Sequence, residues 1–201
     1  MAFESQKSSN GGTLCAAGIE IEGKFRTNQP FRIGPGYAHV KFNLIDKVES
    51  LSGEKIVAVK YVSLAEEYLA DHFPTFPVLP GVMMLEAITQ AAGWLLHHRR
   101  SFERSMAVLK EARNVKYGSF VAPGNFLRVE VDFLKDTDVG ATFKAAGSVN
   151  ENPALSARVE LAYFNLGEKQ PELAALDSRM IEHNKARWNV LQQGSKHANV
   201  A

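Results

Sequence analysis

The sequence predicts an α+β fold in which an antiparallel sheet curls around one long buried helix. Two observations carry that prediction. The stretch from Val82 to about His98 is apolar on nearly every face, so something else in the fold must wrap it. Strand-like segments precede and follow it, and a helix flanked by strands in this order is a sheet-on-helix arrangement rather than a βαβ repeat.

The elements follow in chain order. Residues 1–35 are rich in Gly, Ser, Asn and Pro and read as a loose N-terminal arm. From Tyr37 a strand pattern begins: in AHVKFNLIDKVESL, Val40, Phe42 and Leu44 alternate with polar residues. After the turn LSGE, KIVAVKYVS alternates again. Leu64–Ala70 is a short helical or irregular piece. Prolines at 74, 77 and 80 then exclude regular structure up to Gly81, where the long helix starts. MAVLKEARNVKY, FLRVEVDFLKD, VGATFKAAGSVN and ALSARVELAYFNL supply four more strands, divided by APGN, DTDVG and NENPA. Leu173, Leu176, Met180, Trp188 and Leu191 mark an amphipathic C-terminal helix ending near Gly194. The domains expected are an arm (1–35), a body (36–166) and a helical extension (167–201).

Composition limits the function classes. The 23 basic and 22 acidic residues nearly cancel, so overall charge gives no reason to expect nucleic acid or a membrane surface as partner. The one cysteine, Cys15, excludes an internal disulfide and a cysteine metal cluster and suits a reducing cytoplasm. The longest apolar run is interrupted by Glu86, Thr89 and Gln90, which reads as a buried helix and not a membrane span. His97 and His98 are adjacent, point to different helix faces and lack any HExxH or cysteine companion, so no metal site is expected.

Periodicity singles out one face of the long helix. Glu86, Thr89, Gln90, Gly93 and His97 share it, a narrow polar stripe on an otherwise apolar cylinder. The stripe is either the solvent face of the helix or the wall of a site. One observation favours a site: a solvent face carries several charges, and this stripe has a single carboxylate. A carboxyl group in apolar surroundings keeps its proton more readily and so suits a general acid. Gln90, one turn on, can orient it, and Gly93 leaves room for a chain-like ligand. Gly81 begins the helix, where free N–H groups favour developing negative charge. His72 lies on the proline-stiffened approach. An imidazole base, a carboxylic acid and backbone donors together suit removal of a proton beside a carbonyl with loss of a β-hydroxyl as water.

The run His72-Phe73-Pro74, Pro77, Pro80-Gly81-Val82, Leu85-Glu86-Ala87, Gln90 resembles the hot-dog-fold 3-hydroxyacyl-[acyl-carrier-protein] dehydratases of fatty acid synthesis. The looser likeness extends from about Phe42 to Phe164, and glutamate at the acid position resembles the FabZ type rather than the aspartate-bearing FabA type. The resemblance implies a hydro-lyase with no cofactor, a long helix wrapped by antiparallel sheet, and a homodimer, or a trimer of such dimers. In it each site takes histidine from one subunit and acid from the other. By position it makes His72 the base and Glu86 the acid, with the Gly81 N–H on the thioester carbonyl, Gln90 supporting Glu86 and the Val78 carbonyl orienting His72. Phe73, Pro80, Thr89 and Gly93 would line the substrate tunnel. Arg99, Arg100 and Arg104 are the candidates for docking an acidic acyl carrier protein that bears a phosphopantetheine-linked 3-hydroxyacyl chain.

Asp71, Thr75 and Phe76 depart from the family pattern, and the arm and tail have no counterpart in its compact members. The alternatives are a hot-dog hydratase or thioesterase acting on CoA thioesters, and a non-enzymatic acyl-chain-binding or assembly protein.

Overall fold

In the computed structural model of the chain the described residues are 42–73 and 75–196. The expected arm, Cys15 and Pro74 lie outside them.

Six strands form one antiparallel sheet: β1 (Lys47–Leu51), β2 (Lys55–Tyr61), β3 (Met106–Tyr117), β4 (Phe126–Thr137), β5 (Gly140–Val149) and β6 (Asn152–Phe164). Their order across the sheet is β1-β2-β4-β5-β6-β3. The short helix α1 (Tyr68–Asp71) precedes the proline-rich approach, and α2 (Gly81–Arg99) is the long helix. Two 3₁₀ turns, Leu166–Glu168 and Pro171–Leu173, lead into α3 (Ala174–Lys196).

The sheet embraces α2, which packs against β2, β3, β4, β5 and β6. Alternation supplies the inner face: Leu127, Val129 and Val131 of β4, Ala141, Phe143 and Ala145 of β5, and Val159 and Leu161 of β6 are buried. Against them α2 sets Ala87, Ile88, Ala91, Ala92, Leu95 and Leu96, all essentially without exposure. The alanines let the helix lie close to the sheet while the larger side chains fill the spaces between strands.

Two expectations are corrected. Of the strand expected from Tyr37, residues 37–41 lie outside the described residues, residues 42–46 are irregular and β1 starts at Lys47. The reason is a long-range hydrogen bond. Leu44 N–H donates to the Gln90 side-chain oxygen at 2.9 Å and the Gln90 amide nitrogen donates to the Phe42 carbonyl at 3.1 Å, so a helix side chain satisfies backbone that a neighbouring strand would otherwise pair. Burial also departs from simple alternation there, with Leu44 and Ile45 both buried and Phe42 exposed. The second correction concerns the N-terminal turn of α2. The helix is not covered all round, since Val82 is 71% exposed.

At its other end α2 stops in left-handed backbone at Ser101 (φ 51) and Phe102 (φ 58). The Phe102 N–H returns to the His97 carbonyl at 2.8 Å, and its ring is buried against the His97 imidazole at 5.5 Å. That burial offsets the cost of left-handed backbone at a bulky residue.

The C-terminal helix docks through aromatic contact. Trp188 stacks on Trp94 at 5.8 Å, and it also meets His98 and Phe102. The Asp177 carboxylate fastens the start of α3, accepting hydrogen bonds from Leu166 N–H at 2.9 Å, Gly167 N–H at 2.7 Å and the Ser105 hydroxyl. Burial works against its charge, but these hydrogen bonds outweigh it and hold the carboxyl below the usual range.

Candidate active site

The approach to α2 is a tethered loop. His72 closes α1 in extended backbone and is half-buried, with its ring 4.3 Å from that of Phe73. Phe73 has φ 52, left-handed backbone that a bulky residue seldom adopts, and its carbonyl accepts from Phe76 N–H at 2.8 Å. Val78, Leu79 and Pro80 are buried, and Leu79 N–H donates to the Val121 carbonyl at 2.8 Å. The loop is thus pinned between α1 and the strand connection before β4.

Helix α2 opens at Gly81. The Pro80 carbonyl accepts from Met83 and Met84 N–H, while the N–H groups of Gly81 and Val82 have no acceptor within a helix by its geometry. A β-carbon on Gly81 would stand 3.0 Å from the Tyr117 ring, tighter than ordinary contact.

The polar stripe faces a cavity and is no solvent face. Glu86, Thr89, Gln90, Gly93 and His97 all line one space of about 260 Å³. Phe42 and Asn43 bound it at one end, and Trp94, Met106 and Ala107 contribute to its walls. Met180 and Asn184 of α3 add a further wall. The Glu86 carboxylate is half-buried, less enclosed than the apolar run around it predicts, and accepts from the Gln90 amide nitrogen at 2.9 Å. That nitrogen also serves Phe42 while the amide oxygen serves Leu44, so every polar atom of the Gln90 side chain is engaged and the amide cannot turn. Thr89 is buried, with its hydroxyl on the Leu85 carbonyl at 3.0 Å. The would-be β-carbon of Gly93 meets only Ala107 at 3.6 Å, an ordinary contact.

His97 is the stripe's far member. It is 6% exposed and its Nδ1 has no hydrogen-bond partner among the described residues. Trp94, Phe102 and Tyr163 surround the ring at 6.2, 5.5 and 5.2 Å. Burial pushes the imidazole down to about 4, so it is neutral at ordinary pH.

Within this chain Glu86, Thr89, Gln90 and Gly93 come together on one cavity, whereas His72, Phe73, Val78, Pro80 and Gly81 belong to the loop and helix start and do not line it. Of the three arginines, Arg99 lies 3.6 Å over the Phe133 ring, Arg100 pairs with Asp136 at 2.8 Å, and Arg104 reaches the Tyr163 carbonyl at 2.8 Å and Glu168 at 3.3 Å. The sequence gives no reason to place Ser105, Met180 or Asn184 at the site, because strand edge and C-terminal helix meet α2 only through tertiary packing. Among the described residues no group of three or more His, Cys, Asp and Glu side chains is placed to hold a metal ion, and no helix is long and apolar enough to cross a membrane.

Comparison with known proteins agrees with this architecture. A family model described as the FabA-like domain matches residues 37–158. The 3-hydroxyacyl-[acyl-carrier-protein] dehydratase FabZ of Clostridium perfringens is 34% identical over 121 residues, 60% of this chain and 87% of that protein. FabZ of Levilactobacillus brevis is 36% identical over 114 residues, covering 56% and 77%, and FabZ of Protochlamydia amoebophila is 34% identical over 126 residues, covering 62% and 81%. Among solved structures, the dehydratase heterocomplex ApeI:P from Xenorhabdus doucetiae superposes with a TM-score of 0.54 at 19% identity, over 66% of this chain and 90% of that one, a likeness of fold. With the greater part of its length matched, the chain belongs to the FabA-like domain family and is a hot-dog protein of the FabZ dehydratase type.

Proposed function

We propose that this protein removes water from 3-hydroxyacyl thioesters carried on acyl carrier protein, giving trans-2-enoyl thioesters for fatty acid or related lipid synthesis. The observation that carries the reading is the Glu86 carboxyl on the cavity wall, held by a Gln90 whose side chain is fully committed. In this reading the His72 imidazole takes a proton from C2 of the acyl chain. Glu86 delivers one to the C3 hydroxyl, which departs as water, and the double bond forms between C2 and C3. The Gly81 N–H, at the positive end of α2, receives the thioester carbonyl as charge develops on it. Val78 orients the imidazole, and Phe73 and Pro80 flank the entrance to a tunnel continued by Thr89 and Gly93. The remaining cationic character of Arg99, Arg100 and Arg104 would meet the acidic carrier.

Two active sites of a homodimer, each joining His72 of one subunit to Glu86 of the other, account for the absence of His72 from this chain's own cavity wall. An exposed aromatic patch supports that partnership: Phe73, Phe76, Tyr117 and Phe120 are all more than half exposed, together with Val82 at the helix start. The functional unit in this proposal is residues 36–166, with 167–201 as an extension, acting in the cytoplasm.

The test is conversion of a 3-hydroxyacyl carrier-protein thioester to the enoyl thioester, followed by absorbance, in wild type, His72→Ala and Glu86→Gln. Both variants should be inactive and folded, and mixing them at equal concentration should restore about a quarter of wild-type rate, since a mixed dimer holds one intact site. Wild-type-like turnover by either variant alone overturns the assignment.

A further inference from the structure

We propose that Met180 of α3 sets the length of acyl chain this protein accepts. It forms the end wall of the cavity that starts at Glu86, and the substrates are medium-chain 3-hydroxyacyl thioesters whose terminal methyl stops against it. The inference rests on the reading of Glu86 as the reacting end.

Three observations place the wall. First, the cavity runs along α2. Glu86, Thr89, Gln90, Gly93 and His97 line it in succession, leading from the proposed acid toward the C-terminal end of the helix. Gly93, without a side chain, keeps the floor low on the way. Second, α3 lies across that end. Its Asp177 accepts from the Ser105 hydroxyl, the Asn184 amide nitrogen donates to the Ser105 carbonyl at 3.2 Å, and Trp188 meets Trp94 and His98 at 5.8 and 5.7 Å. Met180 stands one turn before Asn184 on the same face of α3, and both line the cavity. Third, anchoring and shaping fall to different residues. Asp177, Asn184 and Trp188 hold the helix, whereas Met180 is half-buried and turns an unbranched apolar side chain to the cavity. Met180 can therefore be exchanged without unseating α3.

The chain length follows from the spacing. A thioether side chain adapts its shape to a terminal methyl and has no strong hydrogen bond to lose. Trp94, which lines the cavity under α3, stands eight residues beyond Glu86, about 12 Å by helix rise. A zigzag hydrocarbon built from C–C bonds of about 1.5 Å advances about 1.3 Å per carbon, so the wall meets a chain of about nine carbons beyond C3, about twelve in all. Each methylene that enters the cavity leaves water and should tighten binding about fourfold. One that would pass the wall must stay in water or push α3 aside, and gains nothing.

The experiment titrates the full-length protein by calorimetry with 3-hydroxyacyl pantetheine thioesters whose chains lengthen by two carbons at a time, through and past that length. Affinity should climb about 15-fold per step and then level off near twelve carbons. Met180→Ala should carry the climb at least one step further, and the bulkier Met180→Trp should end it one step sooner. Both variants should unfold in urea close to wild type, and if one fails to fold the other decides. A climb that continues unbroken past the expected length overturns the proposal. So does a plateau that neither variant moves, or no binding by any of the thioesters. Turnover of the same thioesters is scored separately. A plateau that moves with Met180 but no turnover refutes only the dehydratase reading, and turnover without a movable plateau refutes only the length limit.

Discussion

Glu86 and His97 share one face of one helix, about three turns apart, and their surroundings are opposite. Glu86 is half-buried, hydrogen-bonded to Gln90 and, through it, tied to the backbone at Phe42 and Leu44. His97 is nearly sealed, ringed by aromatic groups, and left with an unpaired nitrogen. The first end spends its hydrogen bonds on holding a carboxyl group in one orientation, as its proposed role of general acid requires. The second holds a neutral imidazole packed among aromatic rings. One amphipathic stripe therefore carries two differently satisfied polar groups, because tertiary neighbours and not helix periodicity decide how each is satisfied.

The comparison is broken most severely at the Glu86 end. Glu86→Gln should lower kcat about 10²–10⁴-fold while unfolding by urea at a concentration close to wild type. A matching collapse of stability would make Glu86 a structural group instead. Next comes the seal of the other end. Trp188→Ala removes the stack on Trp94 and should cost about 3–5 kcal/mol in chemical denaturation, with faster amide exchange confined to α3 at first if the helix detaches before the sheet opens.

Acid should separate the two ends further. The folded-state value of His97 is about 4, below its ordinary 6.5. Between those values the unfolded chain binds a proton that the folded chain refuses, so the contribution of this group is whole above pH 6.5 and falls away as pH drops toward 4. The loss should reach about 3 kcal/mol, and His97→Leu should flatten that part of the stability profile. The smallest effect is expected at Gln90→Met, which leaves Leu44 N–H and the Phe42 carbonyl unpaired. A loss of about 1–3 kcal/mol in urea unfolding would support the clamp, and no loss would show that water replaces it.

Much of this was legible in the residues. The four later strands match their segments closely because turn residues separate them and the inner positions of β4 and β6 alternate, and the stripe from Glu86 to His97 follows from helical spacing alone. The beginning of β1 was not legible. Its alternation is sound, but Gln90, more than forty positions away in sequence, takes the backbone bonds. Nor was the closure of the cavity: Met180 and Trp188 read as an apolar helix face, and only packing turns Met180 to the cavity and Trp188 to Trp94. One local signal was there to be read. Asn165 and Glu168 form a capping box at the first 3₁₀ turn, an Asn-x-x-Glu pattern visible in the sequence.

The wall that Met180 and Asn184 add lies beyond residue 158, where the family match ends. The proposed chemistry and the boundary of the chamber it opens into are thus written on separate, consecutive stretches of polypeptide. Exchange of the segment after Asn165 for another helix is a modular route to a differently shaped chamber that leaves the Glu86–Gln90 clamp untouched.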